Sequence, residues 1–235
     1  MQDNIEALMN FGLTRQEARI YILLLTEGAL SGYEAAKRIG ISRSNAYGAL
    51  AGLVDKGAAY ILEEQAVQYQ AVPVKEFCFN KLHFLKEMAE ELEQQIPKEV
   101  YQNENYITIR GRQHVEDKIR NMLLETKERV YFSVPLEIAA LFEDELEKLI
   151  AMELKVVLLT EMPEEKADFL RGAVFYYTDH PDQQIRLITD SSYALTGELQ
   201  DEMHTTCLYS ANPNLVKLLK EALANEIKLI AIQNE

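Results

Sequence analysis

The stretch from Leu30 to Val72, LSGYEAAKRIGISRSNAYGALAGLVDKG followed by AAYILEEQAVQYQAV, constrains the fold more than any other part of the chain. It divides into two short helical patterns around a glycine turn, then two runs of strand-forming residues. That order is a helix-turn-helix backed by a ribbon, a shape whose second helix can lie in the DNA major groove.

Helix punctuation extends the pattern in both directions. Thr14 followed by Glu17 is a capping box, Ala18, Ile22 and Leu25 keep helical spacing, and Gly28 is a stop. Ser31 opens the next helix, which runs to Ile39, and Gly40 supplies the turn. Ser42 caps a third helix ending near Lys56–Gly57, with Ala46, Leu50, Leu53 and Val54 on an inward face. Ser44, Asn45, Gly48, Ala51 and Gly52 occupy the opposite face, which Arg43 and Tyr47 flank. Asparagine can make a bidentate contact to adenine, and arginine can reach guanine or a phosphate. The candidate DNA-contacting set is therefore Lys37, Arg38, Ser42, Arg43, Ser44, Asn45 and Tyr47. Each of the two glycines costs the helix about 1 kcal/mol relative to alanine, which either a groove floor or a neighbouring helix could require. The ribbon is expected over Ala59–Glu64 and Val67–Val72. Glu63 and Glu64 at its turn repel phosphate, which would hold the wing off the DNA.

Charge distribution matters more than its total. The net charge is -14, yet residues 1–72 hold six Lys and Arg against eight Asp and Glu. Lys37, Arg38, Arg43 and Lys56 face only Asp55 between positions 37 and 56, so a local basic patch is compatible with an acidic body.

LTRQEARIYILLLTEGALSGYEAAKRIGISRSNAYGALAGLVDKGAA resembles the winged-helix domain of the TrmB family of transcriptional regulators. The resemblance rests on the opening Leu-Thr with Glu17, Ala18 and Tyr21, the Ala35–Lys37 segment, and Ser42-Arg43-Ser44 with Tyr47, Leu50, Leu53, Lys56 and Gly57. It implies a DNA-binding regulator working as a dimer. The family commonly has a basic or polar residue where Gly48 stands. Longer sugar-responsive members carry a further ligand-binding domain for which this chain is expected to be too short, so sugar binding is not carried over.

Val74–Gln95 reads as one helix. Cys78, Leu82, Leu85, Ala89, Leu92 and Ile96 are spaced as a heptad seam, with Phe77, Phe84 and Met88 widening it, and Pro97 ends the helix. A helix packed on its own domain is the plain alternative. Pairing with a second copy is favoured, because a helix-turn-helix reads two half-sites. The dimerisation set is Cys78, Leu82, Leu85, Ala89 and Leu92.

From Tyr106 the pattern alternates strands with amphipathic helices. Strands are expected at 106–111, 130–135, 154–160, 173–177, 185–190, 193–196 and 205–209, with helices at 112–126, 136–152 and 212–230. Leu215, Leu218, Leu219, Ala222 and Leu223 form the apolar side of the last helix. This is an α/β layer with a largely parallel sheet.

GRQHVEDKIRNMLLETKERVYFSVP and ITDSSYALTGEL resemble one half of a phospholipase D-like fold. Asp190 and Gly197 match that pattern's Asp and Gly. Gln183 and Ile185 stand where its His and Lys belong, and Glu198 and Gln200 stand at its Ser and Asn positions. A phosphodiester mechanism needs an imidazole nucleophile and a cation on the phosphate, so the resemblance implies a catalytically inactive domain.

The expected architecture is an α+β multidomain chain. Residues 1–73 form the winged helix-turn-helix, 74–97 a coiled-coil linker, and 104–235 an α/β phospholipase D-like regulatory domain. No catalytic or metal-binding residue and no cofactor is assigned. His180-Pro181-Asp182 reads as a turn, and Asp201, Glu202 and His204 as a solvated loop. Cys78 and Cys207 lack metal-ligand spacing, the N-terminus lacks a signal pattern, and no apolar run spans a bilayer, so a cytoplasmic protein without membrane contact is expected. The partners are operator DNA, a second copy and an unidentified small-molecule effector. Two other readings remain open: a protein–protein adaptor using the winged helix, and a phospholipase D-like enzyme with an appended DNA-binding domain.

Overall fold

The computed structural model describes residues 2–63, 66–96, 105–162, 170–178, 184–201 and 204–233. Glu64, Pro97, His180, Pro181, Asp182, Gln183 and Glu202 lie outside the described residues. The chain divides into two compact units, Met1–Glu99 and Val100–Glu235.

The first unit opens with α1 (Gln2–Asn10), a helix that the sequence pattern did not announce. Helix α2 (Arg15–Glu27) starts at the Thr14–Glu17 capping box and ends at Gly28, whose φ of 85° suits glycine. Helix α3 (Gly32–Ile39) starts at a second capping box, Ser31 with Glu34, and stops at a left-handed Gly40. Ser42 then caps α4 (Arg43–Asp55), its hydroxyl accepting the Asn45 amide at 3.2 Å. Strands β1 (Ala59–Glu63) and β2 (Val67–Ala71) pair antiparallel, and Leu30 bridges to Tyr69 beside them.

Ala18, Ile20, Tyr21, Leu24, Leu50 and Leu53 form a buried core under this ribbon. Helix α5 (Val74–Gln95) enters the core through its first turn. Phe77 is 2% exposed, its ring centroid lies 5.6 Å from that of Tyr21, and the Tyr21 hydroxyl donates to the Val72 carbonyl at 2.7 Å. Phe77 therefore belongs to the winged-helix core, not to the outer seam. Cys78 packs half-buried against the same core. From Leu82 to Ile96 every residue of the segment is exposed.

The second unit is a seven-stranded sheet. Its strands are β3 (Ile107–Arg110), β4 (Arg129–Ser133), β5 (Lys155–Thr160), β6 (Val174–Tyr177), β7 (Gln184–Thr189), β8 (Tyr193–Glu198) and β9 (Thr206–Ser210). Their order across the sheet is β3-β9-β8-β7-β4-β5-β6. Only β4–β5 and β5–β6 pair in parallel, and the other four neighbouring pairs are antiparallel. The sheet is thus mixed, contrary to the largely parallel expectation. The antiparallel pairs β7–β8 and β8–β9 are joined by short connections, and among the described residues no helix intervenes to turn the chain around.

Helices α6 (Arg112–Leu124) and α8 (Glu143–Ala151) cover one face over a core that includes Val115, Ile119, Phe132, Leu146, Leu158 and Leu187. The helix expected over 136–152 is broken into α7 (Leu136–Ala139), a 3-10 turn over Ala140–Phe142, and α8. Helix α9 (Pro213–Gln233) covers the other face, setting Val216 and Leu223 against Val157, Leu159 and Ile188. Leu218, expected to be apolar lining, is 63% exposed, and Val216 takes the inward position. Arg186 on β7 ties the sheet to this helix, pairing with Glu226 and donating to the Ser133 hydroxyl at 2.9 Å.

Asp190 and Ser191 sit at positive φ in the β7–β8 hairpin. The Asp190 carboxylate accepts the amides of Lys127, Glu128 and Arg129 at 2.8–3.1 Å. Burial opposes its charge, but these amides outweigh it and hold the carboxyl below 3.8. A depressed folded value means the stabilisation is full above pH 3.8 and fades as pH falls below it. Asp190→Ala should cost about 1–2 kcal/mol at pH 7, measured by urea denaturation, with the deficit shrinking toward pH 3.

Candidate nucleic-acid interface

The Gly40 turn delivers α4 with its first turn open to solvent. Arg43, Ser44, Asn45, Tyr47 and Gly48 are exposed, while Ala46, Leu50 and Leu53 are fully buried behind them. Hydrophobic burial thus fixes which face of α4 looks outward. Val54, expected inside, is only partly buried.

Two aromatic rings build the outward face, and one of them was not read from the sequence. The Arg43 guanidinium lies 4.5 Å from the centroid of the Tyr33 ring, a cation–π contact that orients it beside the start of α4. Tyr33 and Tyr47 are 48% and 46% exposed. The Tyr47 ring crosses the first residue of α3, and a Cβ on Gly32 would lie 2.4 Å from it. Gly32 is therefore needed for the seat of Tyr47. Sequence spacing within one helix could not show this, because the contact joins two helices.

The basic patch is thinner than its residue count. Arg38 is ion-paired with Glu27, and Lys56 Nζ lies 2.6 Å from Glu17 Oε2. Among the described residues, Lys37 and Arg43 make no ion pair, so they are the cations left for a polyanion. The Ser42 hydroxyl is engaged as a helix cap. In the ribbon, Tyr60, Ile61 and Val67 are exposed near Glu63, and the Tyr60 hydroxyl donates to Glu76 at 2.7 Å.

The two glycines of α4 have different causes. A Cβ on Gly52 would lie 2.2 Å from Glu17 Oε1, whereas Gly48 has nothing within 4 Å. Gly52 answers to the neighbouring helix α2, and only Gly48 leaves a smooth, open helix surface. Gly48→Ala should raise the thermal stability by up to about 1 kcal/mol through helix propensity. Gly52→Ala should lower it by about 1–3 kcal/mol through overpacking, both read from melting curves.

The second unit brings together no catalytic set among the described residues. Ile185 is completely buried. Gly197 lies within β8, where a Cβ would meet the Thr206 carbonyl at 2.3 Å, so close strand packing accounts for it. Gln200 donates to Glu198 at 2.5 Å, and Asp190 is held by the amides of Lys127, Glu128 and Arg129. His204 and Asp201 contact each other on the surface. Among the described residues no group of three or more His, Cys, Asp or Glu could hold a metal, and no helix is long and apolar enough to cross a membrane.

Residues 8–75 match the family model described as "Sugar-specific transcriptional regulator TrmB". The chain is 31% identical over 140 residues to an uncharacterized protein, YrhO, of Bacillus subtilis (strain 168). That match covers 57% of this chain, and the chain spans about half the length of that relative, 50%. Among solved structures, TrmBL2, described as an archaeal chromatin protein with a novel mode of DNA binding, aligns with 97% of this chain and 98% of its own. Its identity is 21% and its TM-score 0.47. Nuc from Salmonella typhimurium, described as a phospholipase D family member, aligns with 52% of this chain and 93% of its own, at 11% identity and a TM-score of 0.40.

Proposed function

From a chain that carries a TrmB-family domain over residues 8–75, we propose a DNA-binding transcriptional regulator that acts as a dimer on double-stranded operator DNA. The observation that carries this reading is the outward face of α4. A capped helix presents Arg43, Ser44, Asn45 and Tyr47 to solvent around an open Gly48, with its apolar side locked in the core. Asn45 and Arg43 are the base readers, Tyr47 and Ser44 flank them, and Lys37 meets phosphate. Arg38 contributes through its pair with Glu27, steadying α3 against α2. Residues 1–73 serve as the DNA-binding domain, 74–97 as the dimerising helix, and 104–235 as an effector or interaction domain without catalysis. Such a protein works in the cytoplasm, where the DNA is. The family match covers the winged helix alone, so sugar recognition is not carried to this chain.

Gel-shift titration against the DNA upstream of its own gene tests the reading. Arg43→Ala and Asn45→Ala should each weaken operator binding by about 1–3 kcal/mol and relax sequence preference. Lys37→Ala should weaken all sequences alike and reduce the salt slope by about 1. Undiminished binding by both reader variants overturns the assignment of α4. The paired state of Arg38 and Lys56, with Glu63 on the ribbon, favours one second reading, in which the winged helix binds a protein. Complex formation that holds steady between about 50 and 200 mM salt would support that reading, because phosphate contacts weaken steeply over this range.

A further inference from the structure

Beyond the point where α5 leaves the winged-helix core, its seam residues are exposed. Leu82, Leu85, Leu92 and Ile96 are 58%, 44%, 47% and 60% exposed. We propose that this face is covered by the same face of a second copy running antiparallel. The inference rests on the dimer reading above and adds the orientation and register of the pair.

Three observations point the same way. The first is the seam itself. Set antiparallel about position 87, Cys78 meets Ile96 of the second copy, Leu82 meets Leu92, and Leu85 meets Ala89. No seam residue is left without an apolar partner. The Leu85–Ala89 pairing also sets large against small at the centre.

The second is charge. From Val74 to Lys86 the helix holds Lys75, Lys81 and Lys86 against Glu76 alone, whereas from Glu87 to Gln95 it holds Glu87, Glu90, Glu91 and Glu93 with no Lys or Arg. An antiparallel pair lays each basic half along an acidic half. A parallel pair sets Lys81 beside Lys86 of the other chain on both flanks and aligns the four glutamates with their copies. The cost of the antiparallel pair is one approach of Lys86 to its own copy, with Glu87 and Glu90 of each chain close by.

The third is a cavity of about 370 Å³ at the domain end of the seam, lined by Leu8, Phe11, Tyr21, Leu25, Val74 and Cys78 among others. Because Cys78 belongs to both the seam and the cavity wall, Ile96 of the second copy arrives at the cavity's mouth. The two Phe77 anchors then stand about 30 Å apart at 1.5 Å per residue, near the roughly 34 Å between half-sites on one face of DNA.

Cysteine cross-linking of the full chain tests the arrangement. Within one chain, positions 78 and 96 are separated by about 27 Å of helix, beyond the roughly 7 Å limit for a disulfide. Cys207 is buried, and burial pushes its thiol up to about 11, so it stays out of the reaction. Under mild oxidation the parent chain should give no covalent dimer. Ile96→Cys should give a covalent dimer in high yield, and adding Cys78→Ala should abolish it. A covalent dimer of the parent through Cys78, or one that survives Cys78→Ala in the Ile96→Cys background, overturns the antiparallel pairing. Light scattering on the untreated chain separates the two layers of the argument. A monomer overturns the dimer reading and this proposal together, whereas a dimer that Ile96→Cys fails to lock overturns the proposal alone.

Discussion

The first unit depends on one carboxylate. Glu17 is 6% exposed, accepts the Thr14 amide and the Lys56 ammonium, both at 2.6 Å, and lies against Gly52. It therefore joins the start of α2 to the end of α4, beside the buried Leu50 and Leu53 that turn the other face of α4 outward. Burial works against its charge, but the Lys56 hydrogen bond and the Thr14 backbone and side-chain contacts outweigh burial and hold the carboxyl below 4.5. Gly52 is the steric counterpart of this arrangement. Any larger residue there displaces the carboxylate from its partners.

The same ion pair thins the positive charge around α4. With Lys56 turned toward Glu17 and Arg38 toward Glu27, two of the four cations near α4 act within the protein. What faces outward is chiefly aromatic and amide chemistry, with Arg43 braced on Tyr33. A surface of this kind offers less long-range attraction to a polyanion than close fit, and in the proposed dimer the engagement of two half-sites at once would offset this. The exposed length of α5 belongs to the same logic. The domain uses Phe77 for its own core, Cys78 lies half-buried at the boundary, and the apolar stripe beyond it is exposed.

In the second unit, polar groups act as fasteners. Asp190 binds the loop before β4 to the β7–β8 hairpin, and Arg186 binds β7 to α9 through Glu226. Gly197 admits β9 against β8. Asp190 and Gly197, which resemble a phosphodiesterase motif, thus have structural work to do.

Local signals were legible because their physics is local. Capping boxes at Thr14 and Ser31, the Gly40 turn, the Ser42 cap and the inward face of α4 involve residues within a few positions of each other. The sequence alone thus determined the helix-turn-helix, its ribbon and the seam of α5. It did not announce α1, which buries no residue completely. Contacts between elements had to await the tertiary structure. Only there do Tyr47 settle on Gly32, Gly52 make room for Glu17, Lys56 and Arg38 leave the basic patch, and Phe77 turn from seam to core. The strand directions of the second unit belong with these. A buried strand looks alike in parallel and antiparallel neighbourhoods, and pairing is chosen by the path of the chain between strands.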